Sequence, residues 1–151
     1  MKTEALHSWA VSQGANHYLR NLGQPAFIHS VTEGVSLLLE EGSPLSLRLA
    51  GCLLFHTELN ASKLTEILTR KGRTNLSHIV ACGQTVEPSD PLWGTLTAKV
   101  GAQPLEDAPH WSRFCTQGRE GFSFMGQNFI WLKPNKEGFE VLKQQKAYAA
   151  W

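Results

Sequence analysis

No stretch of this 151-residue chain approaches the run of roughly 18 apolar side chains that crosses a bilayer as a helix. Residues 1–14, MKTEALHSWAVSQG, lack a continuous apolar centre and carry an early acid, Glu4, so we expect no secretory leader. Cysteine is scarce. Cys52, Cys82 and Cys115 are an odd number with no framework spacing, which argues against a disulfide-stapled scaffold and fits a reducing, cytoplasmic setting. An excess of charge of one sign is also lacking. Lys and Arg number 14 against 13 Asp and Glu, for a net charge of +1. Any nucleic-acid surface must therefore be a local patch. Low-complexity tracts and internal repeats are missing, which removes solenoids and arrays. So are a glycine-flanked nucleophile turn, a phosphate loop and a carboxylate cluster. No catalytic residue and no cofactor is assigned on that basis.

What remains is ordinary globular material, 42% apolar and 18% charged, long enough for one domain with a real core. The stretch around which the rest is organised is residues 60–83, NASKLTEILTRKGRTNLSHIVACG. Leu64, Ile67 and Leu68, then Leu76, Ile79 and Val80, follow the i, i+3, i+4 spacing of two amphipathic helices. Between them Arg70-Lys71-Gly72-Arg73 reads as a basic turn with glycine at the bend. Thr74 or Asn75 would cap the second helix, and Thr74, Asn75, Ser77 and His78 lie off its apolar stripe.

The flanking chain is mostly helical in pattern. Residues 3–22 carry Leu6, Trp9, Ala10, Tyr18 and Leu19 on one wide face, with Gly23 and Pro25 as the stop. We take residues 1–29 as an N-terminal helix that packs on the domain or pairs with a second copy as a dimerisation arm. Ser30-Val31-Thr32-Glu33 has the form of a capping box, and Gly42 ends the helix it opens. Ser43-Pro44 starts the next. Its residues are apolar nearly all round, as in a central core helix, although Leu45, Leu47 and Leu49 alternate as a buried strand would. Residues 84–121 read as a long, loop-rich insertion, with 95–100 a short strand. Phe122 to Met125 and Phe129 to Leu132, joined by Gly126-Gln127-Asn128, read as a β-hairpin. A last helix comes after Pro134.

The expected fold is therefore mainly α with a small β-hairpin. The core helix LSLRLAGCLLFHTE, then SKLTEILTRKG, then RTNLSHIVA, together with the exit Ile130-Trp131-Leu132-Lys133-Pro134-Asn135-Lys136-Glu137-Gly138, resemble the winged helix-turn-helix of the multiple-antibiotic-resistance-regulator type. That resemblance implies a winged-helix domain over 30–151, with RTNLSHIVA entering a major groove. It implies a homodimeric, cytoplasmic transcription regulator whose partner is double-stranded DNA. The hairpin tip lacks the acid and arginine of the family's wing. A winged helix that binds protein is accordingly the second expectation.

Lys63, Arg70, Lys71, Arg73, Thr74, Asn75, Ser77 and His78 are the candidate DNA contacts. Cations neutralise phosphates, and Arg73 or Asn75 can read a base edge. The plain alternative is a solvated basic turn, which a helix C-terminus favours anyway. His78 and Cys82, with His110 and Cys115, have the donor types of a tetrahedral zinc site but no close cysteine pair. The same pairs make the candidate for a Cys/His hydrolase. Trp9, Tyr18, Trp93, Trp111, Trp131 and Trp151 fill the core or line a pocket for a small-molecule effector.

Overall fold

The computed structural model describes residues 2–15, 23–86 and 88–105. Those residues form six helices and no strand: α1 (Thr3–Ser12), α2 (Val31–Glu41), α3 (Pro44–Leu53), α4 (Ala61–Ile67), α5 (Arg70–Val86) and α6 (Pro91–Val100). The fold is mainly α, as the periodicity predicts. The hairpin, the last helix, Tyr18, Trp111, Trp131, Trp151, His110 and Cys115 lie outside the described residues.

The predicted start and stop signals operate. The Ser30 side chain accepts from the Glu33 N–H at 3.1 Å, and Gly42 ends α2 in the left-handed region at φ 77°, where glycine has no Cβ to clash. Ser43 caps α3 by accepting from the Ser46 N–H at 3.3 Å, with Pro44 in the first turn. Every residue of α3 from 46 to 53 is buried, and the helix contacts α1, α2 and α5. Surrounded on all sides, the segment is a central helix and not the alternating strand. It carries one charged member, Arg48, whose pKa burial lowers and nearby Cys52 raises.

Two expectations are corrected. The first helix stops at Ser12, well short of residue 22, and Gly14 then takes φ 105°. Leu6, Trp9 and Ala10 are buried where α1 meets α2 and α3. Residues 91–100 are helix α6, not a loop with a strand. Asp90 and Pro91, read as loop punctuation, are its start: Asp90 accepts from the Leu92 N–H at 3.0 Å, and the missing N–H of Pro91 falls where a helix needs none. Trp93 then lies flat on α5. A Cβ added at Gly83 would stand 2.2 Å from its ring, and Phe55 meets the ring edge-on at 5.3 Å. Burying one such indole is worth about 4–6 kcal/mol as an upper bound. It fixes α6 against the second half of α5.

A candidate nucleic-acid interface

Asn60 begins the central pair. Its side chain accepts from the Lys63 N–H at 3.0 Å, and its own N–H donates to Thr32 of α2 at 2.9 Å. Leu64 and Leu68 go into the core, whereas Ile67, placed on the same stripe by its spacing, is 43% exposed. The chain then turns over Leu68 and Thr69, and α5 starts at Arg70. The basic run is therefore the first turn of the second helix and not the bend.

The early start has a cause the local sequence does not reveal. The Glu40 carboxylate, at the end of α2, accepts from the Thr69 N–H at 2.7 Å and also from the Thr69 hydroxyl. An acid there meets the positive end of the α5 dipole. Thr69 itself accepts from the Gly72 and Arg73 N–H groups at 3.4 and 2.9 Å. Gly72 is inside the helix, and its missing side chain is what lets Glu40 approach: a Cβ would lie 2.4 Å from the carboxylate.

The eight predicted contacts separate into two sets. Lys63, Arg70, Lys71, Arg73 and Thr74 are exposed. Asn75, Ser77 and His78 are buried, with 7%, 5% and 0% of their surfaces accessible, so they do not share the exposed face of the other candidate DNA contacts. Each holds the fold instead. Asn75 donates to the Leu39 carbonyl at 2.7 Å. Ser77 accepts from the Gln103 N–H at 2.9 Å, and His78 Nδ1 from the Leu105 N–H at 3.0 Å. They are buried because α2 on one side and residues 103–105 on the other cover more of α5 than the stripe of Leu76, Ile79 and Val80.

Two of the exposed cations are also anchored. Arg73 donates to the Leu68 and Thr65 carbonyls, closing the C-terminal end of α4. Lys71 donates to the Glu41 carbonyl at 3.4 Å. With Asn75 on Leu39 and the Gly42 N–H on Leu38, three of the last four carbonyls of α2 are satisfied, two of them from α5. Near this junction, burial raises the Glu41 pKa, but hydrogen bonds from Ser43 and Ser46 and the charge of His7 outweigh it and leave the pKa lowered. Burial lowers the pKa of His7, partly opposed by Glu41 and Glu4. At neutral pH the carboxylate is charged and the imidazole neutral.

Beside the exposed turn lies a cleft of about 500 Å³, lined by Arg70, Arg73, Thr74, Ser77, Val100 and Gln103. Val100 and Gln103 are additions to the predicted set. Gln103 lies 26 positions from Ser77, and no local pattern brings the two together. The histidine–cysteine pair is real but internal. His78 Nε2 stands 3.6 Å from Cys82 Sγ. Because Nδ1 accepts a backbone N–H, the neutral ring carries its proton on Nε2, the wrong tautomer for a base acting on that thiol. Among the described residues no group of three His, Cys, Asp or Glu side chains is placed to hold a metal ion. No helix among them is long and apolar enough to cross a membrane. No protein-family model, curated protein or solved structure matches the chain.

Proposed function

We propose that the chain binds duplex DNA, using α4 and α5 as a helix-turn-helix within a winged-helix domain, and that it acts as a cytoplasmic transcription regulator. One observation carries the reading. The first turn of α5 presents Arg70, Lys71, Arg73 and Thr74 to solvent, while Asn75, Leu76 and Ile79 pin the same helix from behind. Recognition helices of this class contact DNA through their N-terminal residues. In this arrangement Lys63, Lys71 and Arg73 engage phosphates. Arg70, its guanidinium exposed at the helix start, reaches a guanine edge, and Thr74 offers its methyl group. Three phosphate contacts correspond to a salt slope near −3. So small a footprint gains affinity from pairing, with two copies on half-sites about 34 Å apart.

The test is fluorescence polarisation with a random-sequence duplex at low salt. Arg70→Ala with Lys71→Ala should weaken binding with the melting curve retained. Unchanged affinity would falsify the site. A second reading, a protein-interaction module, has one observation in its favour: Phe27 is 85% exposed, with His29 edge-on to its ring at 5.2 Å. If that surface is the functional one, Phe27→Ser abolishes partner capture and leaves duplex binding untouched.

A further inference from the structure

The cleft beside α5 is more than the flank of a DNA contact. Arg70, Arg73, Thr74 and Ser77 occupy positions i, i+3, i+4 and i+7, one face of the helix. The opposite wall is Val100 and Gln103, from the end of α6 and the residues after it. Among the described residues the lining holds two cations, three neutral polar side chains and one apolar one, and no carboxylate. Arg70, Arg73 and Gln103 have N–H groups to donate, whereas the Thr74 hydroxyl already donates to the Arg70 carbonyl at 2.9 Å.

Two details show that this wall is built in advance. Arg73 spends two N–H groups on the Leu68 and Thr65 carbonyls. Three remain, on a guanidinium that is already oriented, so little rotamer freedom is lost on binding. Ser77 is 95% buried, being 5% exposed. Its oxygen accepts the Gln103 N–H at 2.9 Å, a bond that ties the two walls of the cleft together.

We infer that this cleft is a binding site for a phosphate group carried on a nucleotide-sized ligand. Arg70 and Arg73 hold the phosphate, Ser77 and Gln103 donate to its oxygens, and Val100 meets the sugar. The volume of about 500 Å³ lies within the range of small-molecule sites and exceeds what a bare phosphate fills. The inference goes beyond the duplex reading, because Ser77, Val100 and Gln103 are not needed for a helix-turn-helix contact. The phosphate has two sources, a DNA strand or a free mononucleotide.

Amide chemical-shift titration of the full chain separates them, using deoxyadenosine monophosphate, deoxyadenosine and a short random-sequence duplex as probes. The monophosphate should shift residues 70–77 and 100–103 saturably, and the unphosphorylated nucleoside should not. Gln103→Glu places a carboxylate in the cleft on an exposed residue, and should weaken monophosphate binding about tenfold. Ser77→Ala should weaken it about fivefold. If the duplex shifts 100–103 and Gln103→Glu weakens it as well, the strand is the source. If only the monophosphate binds, the inference stands and the duplex reading falls. If the duplex binds through Arg70 but ignores Gln103→Glu, and the monophosphate is silent, the inference is overturned and the duplex reading survives. Silence from all three probes overturns both.

Discussion

Asn75→Ala distinguishes a residue that reads bases from one that holds two helices together. Asn75 Nδ2 donates to the Leu39 carbonyl at 2.7 Å in a buried setting. Leu39 is among the last four residues of α2, so its carbonyl has no partner within the helix. Truncation leaves that acceptor buried and unpaired, at a cost of about 1–3 kcal/mol. Alanine recovers roughly 0.5 kcal/mol through its better helix propensity. The net loss should be about 1.5 kcal/mol. With a urea m-value of about 1–2 kcal/mol/M, the unfolding midpoint falls by about 0.8–1.5 M. Tryptophan fluorescence in urea measures the midpoint, and polarisation with a duplex measures affinity under native conditions. Asn75→Asp sharpens the test. A carboxylate facing a carbonyl repels it, so this variant should be the less stable of the two at neutral pH and should recover on acidification, when the carboxyl gains a proton to donate. If Asn75→Ala shifts stability by less than about 0.5 kcal/mol and lowers duplex affinity instead, the clamp assignment is wrong and Asn75 faces DNA.

Other variants probe the remaining junctions. Gly83→Ala drives a methyl into the Trp93 ring at a starting distance of 2.2 Å. Overpacking of this kind should cost about 1–3 kcal/mol, seen as a lower melting temperature; an unchanged melting temperature would mean α6 is not seated there. Glu40→Ala removes an acceptor at Thr69 and a negative charge beside Arg70 and Lys71. Stability should fall by about 1 kcal/mol while duplex affinity rises, and a parallel fall in both would contradict the assignment. Acid should weaken the fold in two stages. His7 has a lowered folded pKa, so the unfolded chain takes up the proton first, and stability declines as pH drops from its ordinary 6.5 through the lower folded value. Glu41, also lowered, contributes stability that is present above its ordinary 4.5 and lost as pH falls through its folded value. His7→Gln should flatten the upper stage only, in urea titrations repeated across pH.

The helices of the described core were legible because their signals are local. Ser30, Gly42, Ser43 with Pro44, and Asn60 each act within a turn of themselves, and the i, i+3, i+4 spacing of Leu76, Ile79 and Val80 is a property of one segment. The register of α5 was not legible. Gly72 and the basic run look like a bend, but Glu40, 29 positions before Thr69, supplies a cap that lets the helix begin earlier. Asn75, Ser77 and His78 are interior for a second reason: α2 and residues 103–105 cover faces of α5 outside its apolar stripe, which the spacing of one segment does not show. Asp90-Pro91 misled in a different way, since the same dipeptide opens a helix or breaks one depending on the residues after it. Lys63, Arg70, Lys71, Arg73 and Thr74 kept their exposure because charge and a helix start both favour solvent. The cleft wall at Val100 and Gln103 depends on how α6 returns across α5, which spacing alone does not encode.

The most direct measurement is the salt dependence of duplex binding by the full chain and by its Arg70→Ala, Lys71→Ala double variant, from polarisation over a range of potassium chloride concentrations. Log affinity should fall with log salt with a slope near −3, and the double variant should lose affinity with its slope reduced by about one for the phosphate contact of Lys71. A slope near zero, or equal affinities and slopes for the two proteins, would mean that the first turn of α5 does not bind DNA.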